Sequence, residues 1–241
     1  MGSLKVIADG SVNTRTAFCC EPFSDAHDLD HPCGVQNVPE PELVDLMRRA
    51  HAGGLEIAAH AIGDRAVREV VDCFEATGAR GSIEHAQLIR LEDAPRMAAL
   101  GIRASVQPAH LWDDRDVQER CWGDRMGRTF ALRTMRDAGV ALRLGSDAPV
   151  SPLDPWMGIA AAVHRSADER DPANPEQALR AAEALADSTD GVDHVHVGGL
   201  GDVILLDRDP LAVPDDSREV AAYVREMKVE ATVVAGRLVH G

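Results

Sequence analysis

Aromatic residues are scarce: 4 Phe, 3 Trp and 1 Tyr make up 3% of a 241-residue chain. A core must therefore be assembled from Ala, Val, Leu and Ile. No run of roughly 18 uninterrupted apolar residues occurs, so no membrane span is readable. Basic residues are also short, with 25 Lys and Arg against 40 Asp and Glu, a net charge of −15. A surface of that sign repels a phosphate backbone and argues against a nucleic-acid partner. The 5 cysteines, Cys19, Cys20, Cys33, Cys73 and Cys121, are odd in number and form no CxxC pair. They are expected to be reduced thiols in a cytoplasmic protein. The opening MGSLKVIADG has no charged segment leading into an apolar one, so it does not read as a signal peptide. Val6 stands where a myristoylation signal needs Ser or Thr. What remains is an ordinary globular composition, 45% hydrophobic and 27% charged. A disordered tail, a collagen and a disulfide miniprotein are excluded.

Short apolar runs alternate with helical patterns. Strands are expected at Leu4–Ala8, Leu55–His60, Gly81–His85, Ile102–Gln107 and Ala141–Leu144. Helices are expected near Glu42–Ala52, Asp64–Thr77, Glu92–Leu100, Thr129–Ala138, Trp156–Ala167 and Pro175–Ala186. Gly53-Gly54, Gly78, Gly101 and Gly139 stand at helix exits. Asp64 is placed to cap the second helix. Strands alternating with helices predict a parallel sheet covered by helices. Five such strands fall short of the eight of a closed barrel. After about Gly191 the pattern changes, with β-strands expected at Asp202–Leu206, Ala221–Tyr223 and Val229–Val234 and a tight turn at Ala235-Gly236. The division is therefore 1–190, a partial barrel, and 191–241, part of a β-domain.

Four polar residues share one kind of position. Lys5 lies in the first strand, His60 and His85 end the second and third, and Asp147 follows the fifth. Barrel residues at strand carboxyl ends converge on one mouth, and a Lys, two His and an Asp there suit a metal hydrolase. His110, after the fourth strand, either touches substrate at that mouth or is a loop histidine beside Trp112. Arg15 and Asp64 either order neighbouring loops or hold polar substrate groups. His27, His31 and Cys33 lack a nearby fourth ligand and read as a surface loop. Cys19-Cys20 reads as packing, with no adjacent base. The run Asp113-Asp114-Arg115-Asp116 reads as a solvated loop. His194-Val195-His196 puts two histidines on one strand face, but outside the barrel part.

The segments LKVIADGSVNTRTA, HAIGDRA, IEHAQ, SVQPAHLWDD and LGSDAPVSPLDPW resemble the metal-dependent amidohydrolase superfamily, in its YtcJ-like branch (amidohydrolase family 3). The trailing GDVILLDRDPL and ATVVAGRLVHG resemble the last part of that family's β-domain. The resemblance covers nearly the whole chain and implies the C-terminal portion of the pattern: an α/β fold with about the last five strands of a (β/α)8 TIM barrel. It implies that Lys5 is the lysine carboxylated in many relatives, that His60 and His85 are metal ligands, and that Asp147 is both ligand and general base. One or two divalent metals, Zn²⁺ in the first instance, and hydrolysis of a non-peptide C–N bond in a small amide or formamide follow.

The family's first-strand HxH pair has no counterpart ahead of Lys5. The expectation is a truncated chain, inactive alone, whose partners are a second copy or the missing N-terminal half. The alternative is a non-catalytic remnant or binding module that keeps the barrel mouth. An open barrel is further expected to bare strand edges at Lys5 and Asp147, together with Leu4, Val6, Ile7 and an apolar inner face of Ile102–Val106.

Overall fold

The structure, a computed structural model, describes residues 2–189, 192 and 194–241. Strands β1 (Leu4–Ile7), β2 (Ile57–Ala61), β3 (Gly81–His85), β4 (Arg103–Val106) and β5 (Leu142–Leu144) form one parallel sheet in chain order. Helices α1 (Glu40–Ala52), α2 (Asp64–Thr77), α3 (Asp93–Ala99), α4 (His110–Cys121) and α5 (Leu132–Asp137) lie between successive strands. Helices α6 (Pro155–His164) and α7 (Ala181–Asp187) follow the last of them. Sequential order with helical crossovers is the arrangement of a partial TIM barrel. Among the described residues no helix is long and apolar enough to cross a membrane.

Local chemistry explains most helix ends. Helix α2 stops at Gly78, whose φ of 65° and N–H bond to the Phe74 carbonyl close the last turn. Asp154 accepts N–H bonds from Trp156 and Met157 and so caps α6, with Pro155 in its first turn. Gly63, before α2, has backbone atoms of Phe18 where a Cβ would stand, so only glycine fits. Asp64 is the first residue of α2 and makes no capping bond there.

The two faces of the parallel sheet differ. Val6, Ile57, Ala59, Ala61, Ile83, Ala104, Val106 and Leu142 are all buried, in one cluster with the helices. The register lines up Lys5, Ala58, Ser82 and Arg103 in one row of the opposite face. Ile7, His60, Glu84, Ser105 and Arg143 form the next row. This face is polar. Glu56 pairs with Arg103 at 2.5 Å, and Ser82 donates to Glu84 at 2.5 Å. The expected apolar inner face of Ile102–Val106 is thus corrected: alternation puts Ile102, Ala104 and Val106 against helices and leaves Arg103 and Ser105 inside. Val6 is buried and Leu4 half-buried; of that first strand only Ile7, at 52% exposed, is an uncovered apolar residue.

After α7, β6 (Val203–Leu206), β7 (Val229–Val234) and β8 (Arg237–His240) make an antiparallel sheet. Ala235 and Gly236, with φ of 50° and 75°, form the tight turn between β7 and β8. Between β6 and β7 lies α8 (Ser217–Arg225), which corrects the strand expected at Ala221–Tyr223. Asp216 accepts N–H bonds from Arg218 and Glu219, and Val220, Ala221 and Val224 bury one helical face that packs with α6. A capped 3.6-residue period outweighs a short apolar run. Asp113, Asp114 and Asp116 likewise sit in α4 rather than in a loop, and Asp114 is buried. The boundary expected between residues 190 and 191 lies outside the described residues.

Candidate metal centre

The register alone would separate the two strand-end histidines. His60 pairs with Glu84 across β2 and β3, and His85 with Ala61, so strict alternation would send the His60 and His85 rings to opposite faces. His85 escapes because its φ is 75° and that of Ala86 is 42°. This left-handed kink coincides with rings in an edge-on contact, centroids 4.6 Å apart. Such backbone is costly for a non-glycine residue and concentrates at functional sites. Asp147 has the same feature, with φ of 56°, in the exposed loop after β5.

His110, at the start of α4, stacks beyond His85 with centroids 6.2 Å apart. Ligand atoms of His85, His110 and Asp147 all lie within 4.8 Å of one another. The His110 Nε2 atom is buried without a hydrogen-bond partner. Two imidazoles and a carboxylate within that distance, one imidazole with an orphaned nitrogen, are a donor set of the N/O type that divalent zinc takes. The residues present therefore fit a metal. Lys5 projects from the exposed side of β1, and its charge opposes protonation of both His60 and His85.

Burial disfavours the charged form of His60 and of His85. Burial, and then the adjacent His60, push His85 down to about 4. His60 is also lowered, chiefly by burial. Its Nε2 donates to the Gly10 carbonyl at 3.2 Å, which leaves Nδ1 as the free lone pair. Asp9 sits behind it, with Oδ1 at 3.4 Å from Nε2. Asp9 is fully buried and accepts N–H bonds from Phe18, Ile62 and Gly63 at 2.8–3.0 Å. Burial still outweighs those bonds and raises its carboxyl to about 7.

The sequence pattern of the amidohydrolase family matches residues 1–240. This chain belongs to the amidohydrolase family. It is 32% identical over 257 aligned residues to YtcJ of Bacillus subtilis (strain 168), described as an amidohydrolase, covering 99% of this chain and 47% of that protein. It is 29% identical to the N-substituted formamide deformylase of Arthrobacter pascens, over 85% of this chain and 40% of that enzyme. Among solved structures it resembles an uncharacterized metal-dependent hydrolase of Pyrococcus horikoshii OT3, with a TM-score of 0.70 and 30% identity. That match covers 80% of this chain and 41% of the other. The chain thus spans about half the length of the relatives it matches.

The other candidates of this amidohydrolase chain are engaged by partners outside the cluster. Arg15 is held by Asp25 at 2.7 Å and by the Val12 and Asn13 carbonyls. Asp64 is buried, accepts the Cys20 N–H and pairs with Arg128, each at 2.9 Å. Both residues tie loops together. Among the described residues His27, His31 and Cys33 join no metal-binding group, and neither do His194 and His196, whose rings are 5.5 Å apart. Asp9 was not anticipated, nor was the buried Asp114, which accepts from Asn13 and Gln87 at 2.7 Å each. One signal was available for Asp9: it stands just after β1, at the same strand-end position as the candidates. For Lys5 a further signal exists: Lys5 and Lys228 are the chain's two lysines among many arginines.

Proposed function

We propose that this chain forms part of a metal-dependent hydrolase of non-peptide C–N bonds in small amides or formamides. The observations that carry the reading are the convergence of ligand atoms of His85, His110 and Asp147 and the buried, unpartnered His110 Nε2. Zn²⁺ or a similar divalent ion, one or two in number, would be held by His60, His85, Asp147 and Lys5, the last as its carbamate, with His110 adjoining. When bound, such an ion acidifies water and polarises a carbonyl oxygen.

The chain's own residues supply the rest. Neutral His60 and His85 offer lone pairs without a competing proton, and Asp9 fixes the His60 ring. The Asp147 carboxylate takes a proton from the water that attacks the carbonyl carbon, and returns it to the nitrogen as the C–N bond breaks. His110 reaches the same space and can contact the substrate carbonyl. The family and the formamide deformylase relative support the bond type. The test is hydrolysis of a formamide by the metal-loaded chain supplied with the N-terminal half of a relative, beside the same preparation carrying Asp147→Asn. A loss of about 10²-fold or more in turnover is expected for removal of the proton acceptor. Undiminished turnover in the variant would contradict the assignment. The 241-residue chain by itself is expected to turn over little.

A further inference from the structure

A cavity of about 220 Å³ lies beside the candidate centre. Its wall includes Ala109 and Ser146, the residues just before His110 and Asp147, and continues through Leu144, Leu153, Pro155 and Gly158. Asp154 also borders it, with Oδ1 engaged in capping α6. The wall is mostly apolar, as ligand pockets are.

Gly158 is the informative residue. It stands inside α6, where glycine weakens a helix relative to alanine. Two reasons usually retain a glycine, and neither applies. Its φ is not positive, and a Cβ built on it meets no neighbouring heavy atom within 4 Å. Yet Gly158 is buried. A buried glycine that faces open space is a wall whose absent side chain is cavity volume.

We infer that this cavity receives an apolar group of about phenyl size carried by the substrate, with Gly158 setting its depth. That the occupant is a substrate rests on the hydrolase reading; the cavity itself does not. An apolar cavity of about 150 Å³ accommodates benzene, so this one holds a phenyl ring. Its rim at Ala109 and Ser146 directs the amide bonded to that ring toward the neighbouring His110 and Asp147.

The test is fluorine NMR titration of the metal-free 241-residue chain with 4-fluorobenzamide and with trifluoroacetamide. The ring-bearing amide is expected to bind about tenfold or more tightly, since even one methylene in an apolar pocket is worth about that much. Gly158→Leu is expected to remove that preference by weakening 4-fluorobenzamide about tenfold or more, with trifluoroacetamide unchanged. Equal affinity of wild type and Gly158→Leu for the ring, or no preference for the ring in wild type, overturns the inference. Should Gly158→Leu not fold, Gly158→Ala decides: it is expected to melt higher than wild type and bind the ring more weakly. Unchanged ring affinity in Gly158→Ala overturns the inference equally. Because no metal is present, failure of the centre to load leaves this result intact and falls on the hydrolase reading alone.

Discussion

The two sheets of this chain solve the problem of burial differently. The parallel sheet β1–β5 covers one face with helices and makes the other polar, so its incompleteness as a barrel exposes few apolar side chains. The antiparallel sheet β6–β8 keeps apolar residues in the open: Leu205 is 62% exposed and Leu238 65%, with Ile204, Val234 and Val239 also exposed. A sheet built to be half-covered holds its core with the elements present. A small sheet with exposed apolar residues on its strands is a surface suited to self-association.

The sharpest way to break that contrast is to cut the same kind of side chain from each region. Phe74→Ala removes a fully buried ring of α2 beneath the parallel sheet. It should cost about 3–5 kcal/mol and lower the melting temperature by roughly 6–20 °C. Leu238→Ala should change stability by no more than about 0.5 kcal/mol. Thermal unfolding followed by circular dichroism checks both, and similar losses would erase the distinction. Next in size is an effect on association. Leu205→Asp with Leu238→Asp should shift sedimentation toward the monomer while leaving the melting temperature within about 2 °C, as for surface changes. An unchanged sedimentation profile would show that the open sheet is not adhesive.

A smaller effect concerns protons at the polar face. His85 should titrate near 4 by NMR rather than at the ordinary 6.5. The unfolded ring binds its proton at the higher pH, so between about 6.5 and 4 the unfolded state holds more protons. Acidification through that window therefore removes stability from this group, and the loss is complete below the folded value. Asp9, raised to about 7, acts with the opposite sign across an overlapping window. Substituting His85→Gln should remove this group's share of the loss on acidification, while His60, also lowered, and Asp9, raised, keep their opposing contributions. A ring midpoint near 6.5 would mean that His85 is open to solvent, like a residue of the exposed sheet.

Much of the barrel part was legible because alternation of short apolar runs and glycine-terminated helices is a local signal. Gly81–His85 and Asp64–Thr77 emerge with the same bounds in the structure. Ala221–Tyr223 misled because three residues cannot show a helical period, while the deciding cap at Asp216 lies outside them. The faces of β4 misled because a barrel strand was assumed apolar on both sides, and Arg103 and Ser105 show the alternation that assumption ignored. At the site, strand ends named His60 and His85 without revealing what unites them. The backbone kink at His85 is a dihedral, and IEHAQ contains no glycine to announce it. His110 belongs with His85 and Asp147 through a crossover in space, which no spacing in one strand records. Asp9 owes its place to loop closure: three N–H groups from distant positions fold over it.

The central claim is that the polar mouth of the parallel sheet, and not the exposed histidine pair of the C-terminal region, is where this chain binds a divalent metal. Calorimetric titration of the apo chain with Zn²⁺ tests it directly, with His85→Ala and His196→Ala as paired variants. The account predicts binding that is weakened about tenfold or more in His85→Ala, which removes a nitrogen from the donor set, and that is unaltered in His196→Ala. Zinc binding lost with His196 and retained without His85 would contradict it.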